Sequence, residues 1–369
     1  MFNAPINRDN AAIELINEAG SIYLATHIIP DGDAIASTLG LYWALRKMGK
    51  GAVVACADPV PTVFTFLPGA DSFLSRPPAD EDLIIILDCN ALDRVGSLYD
   101  EAAFQGKPVV NIDHHISNLS FGTVNWVKTD AASTSEMLFD LIVRLMVRQA
   151  CPEPFDPSAK LRTSYAQDRR SRRAHHAAHA EGSPKSEAHE GLDPQIATCL
   201  LTGIVTDTLG FRTSSTTPRL MQVVSQLMTA GASLADITDQ VFNQRSLSSI
   251  KLWGKAIDRL QADGRVVWTE ITQEMIRQSQ GKADIESREG SVVNLLATIR
   301  EADVAIVFKE REDGQVEVSM RGRRGVDLSK PALRLGGGGH RQAAGCMLKC
   351  SLEEAKEKVL AEVMRSLGE

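Results

Sequence analysis

Eight residues carry side chains able to hold divalent cations, and they fall into four short groups. His27, Asp31 and Asp33 lie in HIIPDGD, Asp88 ends LIIILD, Asp113, His114 and His115 end PVVNIDHH, and Asp207 precedes Thr208-Leu209-Gly210-Phe211. Each group comes directly after an apolar run, where a charge is costly unless it is paired or bound to metal. One such Asp is ordinarily a cap or a turn residue; four groups with the same habit are better explained by one shared site. Carboxylate and imidazole donors without thiolate favour Mn, Mg, Co or Fe over structural zinc. Six ligands exceed what one tetrahedral ion needs, which suits two ions a few ångströms apart. Such a pair activates a bridging water and stabilises both oxygens of an in-line phosphoryl displacement. Two other readings of Asp31-Gly32-Asp33 do less well. A calcium EF-hand needs Gly at its sixth and Glu at its twelfth position, where this chain has Ala36 and Tyr42. An aspartyl-phosphate nucleophile leaves His27, His114 and His115 unexplained.

The elements that must position these groups alternate. SIYLAT (21–26), GAVVACA (51–57), LIIILD (83–88) and PVVNID (108–113) read as strands buried on both faces. Asp33 is expected to cap a helix whose apolar positions Ile35, Leu39, Tyr42, Leu45 and Met48 end at Gly49. Further helices are expected at 132–149, 194–206 and 217–230, the last with Thr217-Pro218 at its start and Gly231 at its stop. This is the pattern of an α/β fold, a parallel sheet with helices on both faces. Ligands bind outside the carboxyl ends of such strands, which is where the four groups lie. Residues 151–192 break the pattern, with only Phe155, Leu161 and Leu192 as large aliphatic or Phe residues. That stretch is expected to be a disordered insertion. After a helical stretch at 248–262 come strands at 266–271, 304–311 and 315–321, the last two joined by Asp313-Gly314 as a hairpin. A helix at 290–300, GGGGH (336–340), a strand at 345–350 and a last helix at 351–367 complete a smaller α+β domain.

Length and composition agree with two packed domains: 369 residues, 43% hydrophobic. With 40 Lys and Arg against 47 Asp and Glu the net charge is -7, which disfavours a sequence-blind binder of long nucleic acid. A small anionic substrate remains compatible, in a locally basic or metal-lined cleft. Six Cys at 56, 89, 151, 199, 346 and 350 form no CxxC pair and read as free thiols of a reducing, cytoplasmic setting. No run approaches a membrane span, and the first residues lack the apolar core of a signal peptide.

HIIPDGDAIAS (27–37), ILDC (86–89), NIDHH (111–115) and GIVTDTLGFRT (203–213) resemble the four ordered motifs of the DHH phosphoesterase family. SMRGRRGVDLS (319–329) and GGGGHRQAAG (336–345) resemble its companion DHHA1 domain. Together these cover nearly the whole chain except 151–192, and its length is similar to that of the family's bifunctional oligoribonucleases and 3′-phosphoadenosine 5′-phosphate phosphatases. The resemblance implies a DHH domain over 1–238, a helical linker over 239–262 and a DHHA1 domain over 263–369, with the active cleft between them. It implies His27, Asp31 and Asp33 as metal ligands, Asp88 as the bridge between two ions, and His114 and Asp207 as completing the second ion's shell. Asp113 would hydrogen-bond and orient its neighbours. His115 would face the scissile phosphate as a charge stabiliser or proton donor. Arg321 would grip a substrate phosphate, Gly336, Gly337, Gly338 and Gly339 would let the backbone approach the ligand, and His340 would meet the phosphate across the cleft.

The implied cofactors are two divalent ions, Mn foremost, with Mg or Co as alternatives. The implied substrates are very short oligoribonucleotides or nucleotide phosphates, cleaved to nucleoside monophosphates; no membrane is involved, and a homodimer is compatible. Other readings are a phosphodiesterase for linear dinucleotides from cyclic-dinucleotide turnover, an inorganic pyro- or polyphosphatase, and a silent nucleotide sensor. GGGGH argues against the phosphatase, and a sensor would show a lost ligand, whereas all six are present. Two departures stand out: Asp207-Thr208-Leu209-Gly210-Phe211 stands where the resemblance implies Asp-Thr-Gly-x-Phe, and the 151–192 stretch, with its basic segment Lys160 to Arg173, has no counterpart in the resemblance.

Overall fold

The computed structural model describes residues 8–150, 192–279 and 292–368. The expected disordered insertion lies outside these residues apart from Leu192, as do the first two residues of the helix expected at 290–300.

The first unit runs α1 (Arg8–Glu18), β1 (Ser21–Ala25), α2 (Gly32–Lys47), β2 (Gly51–Ala55), β3 (Phe73–Leu74), β4 (Leu83–Leu87), α3 (Glu101–Phe104), β5 (Val109–Asp113), β6 (Val124–Val127), α4 (Thr134–Ala150), α5 (Pro194–Asp207), α6 (Pro218–Thr229) and α7 (Leu234–Thr238). Its six strands are all parallel in the order β3-β2-β1-β4-β5-β6. The alternation within β4 explains why the sheet needs cover on both sides. Leu83, Ile85 and Leu87 join α2, α4 and α5 in the main core, while Ile84 and Ile86 meet Tyr23, Val95 and Leu98 beneath. The chain winds outward from β1 to β3 and then from β4 to β6 in the opposite direction. β1 and β4 are therefore the neighbours at which the winding reverses, and their carboxyl ends diverge into a crevice. β3 and β6 were not expected, being short strands at the two edges.

One boundary differs in a way that matters. α2 starts at Gly32 and is capped by Asp31, whose Oδ1 accepts from Ala34 N–H at 3.1 Å. Asp33, the expected cap, sits inside the first turn. Gly32 makes this possible, because a Cβ there would overlap Thr206 of α5.

The second unit comprises α8 (Leu247–Ile257), β7 (Gln261–Asp263), β8 (Val266–Ile271), α9 (Gln273–Gln278), α10 (Val292–Leu296), β9 (Val304–Glu310), β10 (Val316–Gly322), α11 (Ser329–Arg334), β11 (Gly338–His340), β12 (Ala343–Leu348) and α12 (Leu352–Gly368). Its sheet has the order β11-β12-β10-β9-β8-β7, with β8 and β9 parallel and every other pair antiparallel. The helix expected to run to 262 stops at Ile257, and Gln261–Asp263 instead pairs with β8. α11 and α12 cover one face of the sheet through Leu328, Ala332, Ala355, Val359 and Val363. On the other face, Leu252, Met275, Val292, Val293 and Leu296 cover β8 and β9, and α10 also reaches β10, where Asn294 meets Arg321. At the edge of this face β11 meets the first unit, with Gly338 beside Asn90 and Ser117 and His340 beside His114 and His115. Among the described residues, no helix is long and apolar enough to cross a membrane.

Candidate metal and phosphate site

Every metal-competent group falls at the carboxyl edge of the parallel sheet. His27 follows β1, Asp88 follows β4, Asp113 closes β5 with His114 and His115 after it, and Asp207 closes α5. Among the described residues the donor atoms gather into four groups of three, and Asp88 is in three of them. The two made only of expected ligands are the triads His27–Asp31–Asp88 and Asp33–Asp88–His114, with Asp88 common to both, beside Asp88–Asp113–His115 and His114–His115–His340. His27 Nε2 lies 3.9 Å from Asp31 Oδ2 and 3.8 Å from Asp88 Oδ2. His114 Nε2 lies 3.5 Å from Asp88 Oδ1 and 3.0 Å from Asp207 Oδ2. Asp88 has a left-handed backbone, φ 54, a conformation that costs a non-glycine residue about 1–2 kcal/mol and is concentrated at functional sites.

Local sequence accounts for how the carboxylates are held. Ser133-Thr134-Ser135-Glu136 caps the start of α4: Ser133 Oγ accepts from Glu136 N–H at 3.0 Å, and Glu136 Oε2 reaches back to accept from Ala132 N–H, one residue before the cap, at 2.7 Å. The N–H groups thus exposed at the start of α4 take Asp33. Thr134 N–H donates to its Oδ2 at 2.6 Å, while Ser135 N–H and Oγ–H donate to Oδ1 at 3.1 and 2.5 Å. Thr134 Oγ1–H donates to Asp88 Oδ1 at 3.0 Å. Thr134 and Ser135 are site residues that sequence reasoning missed; the capping pattern before an apolar run was the signal that could have found them.

Asp113 makes a different set of contacts. Its Oδ1 accepts from the N–H groups of His114 and His115 and from His115 Nδ1 at 2.7 Å, and its Oδ2 accepts from Asn118 at 2.6 Å. With both oxygens engaged, it orients the His pair.

Electrostatics separate these carboxylates. Burial first, then the charges of Asp207 and Asp31, push Asp33 up to about 7. Burial, with Asp33 and Asp31 beside it, drives Asp88 well above the ordinary range. Burial alone would lower His114, yet Asp207, Asp88 and Asp33 together hold it well above its ordinary value. Asp113 goes the other way: burial raises it, but His115, His114 and Asn118 outweigh that and hold it well below the usual carboxylate range. Asp33 and Asp88 crowd like charge into a dry site.

The donor set fits divalent cations. His114 Nε2 is buried against two carboxylate oxygens, Asp207 Oδ2 at 3.0 Å and Asp88 Oδ1 at 3.5 Å, donor types that together suit a cation. His27 Nδ1 lies 2.7 Å from Ile28 O. When that nitrogen carries the proton, the Nε2 lone pair is left toward two carboxylates, where a cation is the stabilising occupant.

The mixed sheet contributes a row of side chains. Arg321, Ala343 and His340 are directly opposite one another on β10, β12 and β11, so they share a face. The next row toward the core, Met320, Ala344 and Gly339, points the other way, with Met320 and Ala344 buried. His340 reaches the first unit, its ring centroid 4.8 Å from those of both His114 and His115 and stacked on the latter at 21°. Arg321 lies two strands away, roughly 10 Å at the usual spacing. Its Nε–H donates to Asn294 on α10 at 2.9 Å and its Nη1–H to Met320 O at 3.0 Å.

The four glycines are not equivalent. Gly336 turns with φ 75, and Gly339 has φ 129. A Cβ on Gly337 would overlap Gly345 O. Gly338 alone faces the first unit, where a Cβ would lie 3.5 Å from Asn90 Nδ2 and Ser117 Oγ.

Comparison with known proteins accords with this geometry. Residues 21–204 match the DHH family, N-terminal domain, and residues 280–369 the DHHA1 domain. The bifunctional oligoribonuclease and PAP phosphatase NrnA of Thermus thermophilus is 33% identical over 99% of this chain and 97% of its own length. Among solved structures, an exopolyphosphatase-related protein from Bacteroides fragilis superposes with a TM-score of 0.76 at 22% identity, covering 98% of both chains. RecJ of T. thermophilus, solved with Mn2+, has a TM-score of 0.52 at 12% identity, covering 98% of this chain and 55% of that one. The parallel sheet carrying the acidic edge and the mixed sheet carrying the glycine strand are thus the two halves of one known plan, and the chain belongs to the DHH phosphoesterase family with a DHHA1 second domain.

Proposed function

We propose that this chain hydrolyses the phosphoester bonds of very short oligoribonucleotides to nucleoside monophosphates, and removes the 3′-phosphate of 3′-phosphoadenosine 5′-phosphate to give AMP. One observation carries the reading: two ligand triads share Asp88 immediately beside the stacked rings of His115 and His340. Both activities are named for the T. thermophilus relative, which matches nearly end to end. Two divalent ions, Mn2+ foremost, would be held by His27, Asp31, Asp33, Asp88, His114 and Asp207. When bound they supply an activated water and neutralise charge on the reacting phosphate.

The remaining work falls to side chains. Asp113 accepts from His115 Nδ1, which leaves Nε2 to stabilise the phosphate or hand a proton to the leaving oxygen. His340 approaches the same rings from the second sheet and meets the phosphate from the opposite side. Arg321, fixed by Asn294, grips a second phosphate, so that the far end of the substrate positions the near one.

A substrate panel tests the reading: a ribodinucleotide, a five-mer, a 24-mer, 3′-phosphoadenosine 5′-phosphate and pyrophosphate, each with Mn2+ and with Mg2+. Hydrolysis should be fastest for the dinucleotide and present for 3′-phosphoadenosine 5′-phosphate. Turnover of pyrophosphate alone would overturn the assignment.

A further inference from the structure

The loop that carries His27 and Asp31 is held from outside the four motifs. Within it Ile29 has a left-handed backbone, φ 52, which is unusual for a β-branched residue and persists only where its surroundings enforce it. Asp58, just after β2, supplies one such restraint: its Oδ2 accepts from Ile29 N–H at 2.6 Å. Arg94 supplies the other. Its carbonyl accepts from Ile28 N–H at 2.7 Å, and its guanidinium Nη2 lies 3.4 Å from Ile28 O and 3.2 Å from His27 Nδ1. Gly96 admits this packing, since a Cβ there would stand 2.5 Å from Ile28 Cγ2.

The other triad is held by a helix start and a strand end rather than by a loop. Asp33 is fixed by the start of α4, and His114 by the end of β5. By contrast, the His27 ring is tied through Nδ1 to the carbonyl of its own neighbour, Ile28, so its direction follows the shape of the loop.

We infer that Arg94 and Asp58 are positioning residues for one cation only, the one held by His27, Asp31 and Asp88. The two cation positions are therefore unequal, and the loop-built one is the weaker and more readily exchanged. This rests on the two-ion reading above.

Mn2+ binding to the full chain, followed by electron paramagnetic resonance and elemental analysis, tests it without relying on turnover. Wild type should take up two ions. Arg94→Ala and Asp58→Ala should each keep one ion at wild-type affinity and weaken the other by about tenfold or more, the range seen when partners of metal ligands are removed. Asp58→Asn, which retains an oxygen acceptor for Ile29 N–H, should recover most of the loss. Should Arg94→Ala fail to fold, Arg94→Lys and the Asp58 pair give the same readout. Two ions bound unchanged in the variants, or both weakened equally, would overturn the clamp and leave the two-ion reading standing. Fewer than two ions in the wild type would sink both.

Discussion

Around the parallel sheet the candidate ligands sit just past β1, β4 and β5, at the start of α2 and at the end of α5, whereas in the mixed sheet Arg321, Ala343 and His340 sit side by side within paired strands. The first arrangement relies on caps and buried hydrogen bonds: Asp33 on the N–H groups of α4, Asp113 on the His pair and Asn118. The second relies on register, since the side-chain period of a strand is two and a one-residue slip would turn His340 into the core. Charge divides the same way. The edge gathers buried carboxylates that raise one another, and the face offers a guanidinium and an imidazole. An edge of this kind suits cations and a face of this kind suits the phosphate they act on, so damage to the two should be separable.

The largest expected break is at the shared ligand. Asp88→Ala should abolish metal uptake and lower turnover at least about a thousandfold, while far-ultraviolet circular dichroism stays native. Metal content and kcat on the same sample check this. Arg321→Ala breaks the face instead. It should lower kcat/KM for a dinucleotide by roughly 2–4 kcal/mol, the loss of a charge-assisted phosphate contact, with metal content unchanged. A minimal aryl phosphate should barely notice it; equal slowing of both substrates would place Arg321 on the reacting phosphate.

Gly203→Ala probes how closely the edge is packed. A helix-interior glycine ordinarily gains about 1 kcal/mol on replacement by Ala. Here the new Cβ would overlap Ser135 Oγ and Asp33 Oδ1, so stability should instead fall by about 1–3 kcal/mol, measurable by urea denaturation.

A pH series sharpens the electrostatic side. The folded value of Asp33, about 7, lies above its ordinary 3.8. Its contribution to stability is thus fully present below pH ~4 and is lost as pH rises through 7. His114, also raised, acts with the same sign. Metal-free protein should lose Tm across this window, and the Tm gain on adding Mn2+ should grow from pH 5.5 to 8, because binding displaces those protons. A gain independent of pH would contradict the crowded-carboxylate description. The smallest effect is expected at Leu209, which has a left-handed backbone, φ 51. Leu209→Gly should relieve about 1 kcal/mol of strain, offset in part by glycine's chain entropy, and raise Tm slightly.

Much of the edge was legible because acidic and imidazole groups directly after apolar runs are rare unless something compensates them. The inner strands of both sheets were readable for a related reason, since β4 and β9 are apolar enough to demand cover on both faces, whereas the short edge strands β3, β6, β7 and β11 were not. The start of α2 was not readable. Asp31-Gly32-Asp33 offers two caps of equal quality, and the choice between them is made by Thr134 and Ser135, 101 and 102 residues farther on. Nor could the glycine run reveal that Gly337 and Gly339 serve strand packing and backbone turning while Gly338 alone faces the first unit. A Cβ-less residue looks the same in sequence whatever presses against it.

The residue types and their order along the chain determined the chemistry by themselves: hard and borderline donors for cations, a fork and an imidazole for phosphate. The tertiary structure alone decided that Asp88 belongs to both triads, that Asp113 orients its neighbours with both oxygens engaged, and that His340 lies on the rings of His114 and His115. Those outcomes turn on separations of a few ångströms between groups tens to hundreds of residues apart. Only the packing of helices on sheets, with glycines at the closest approaches, sets distances on that scale.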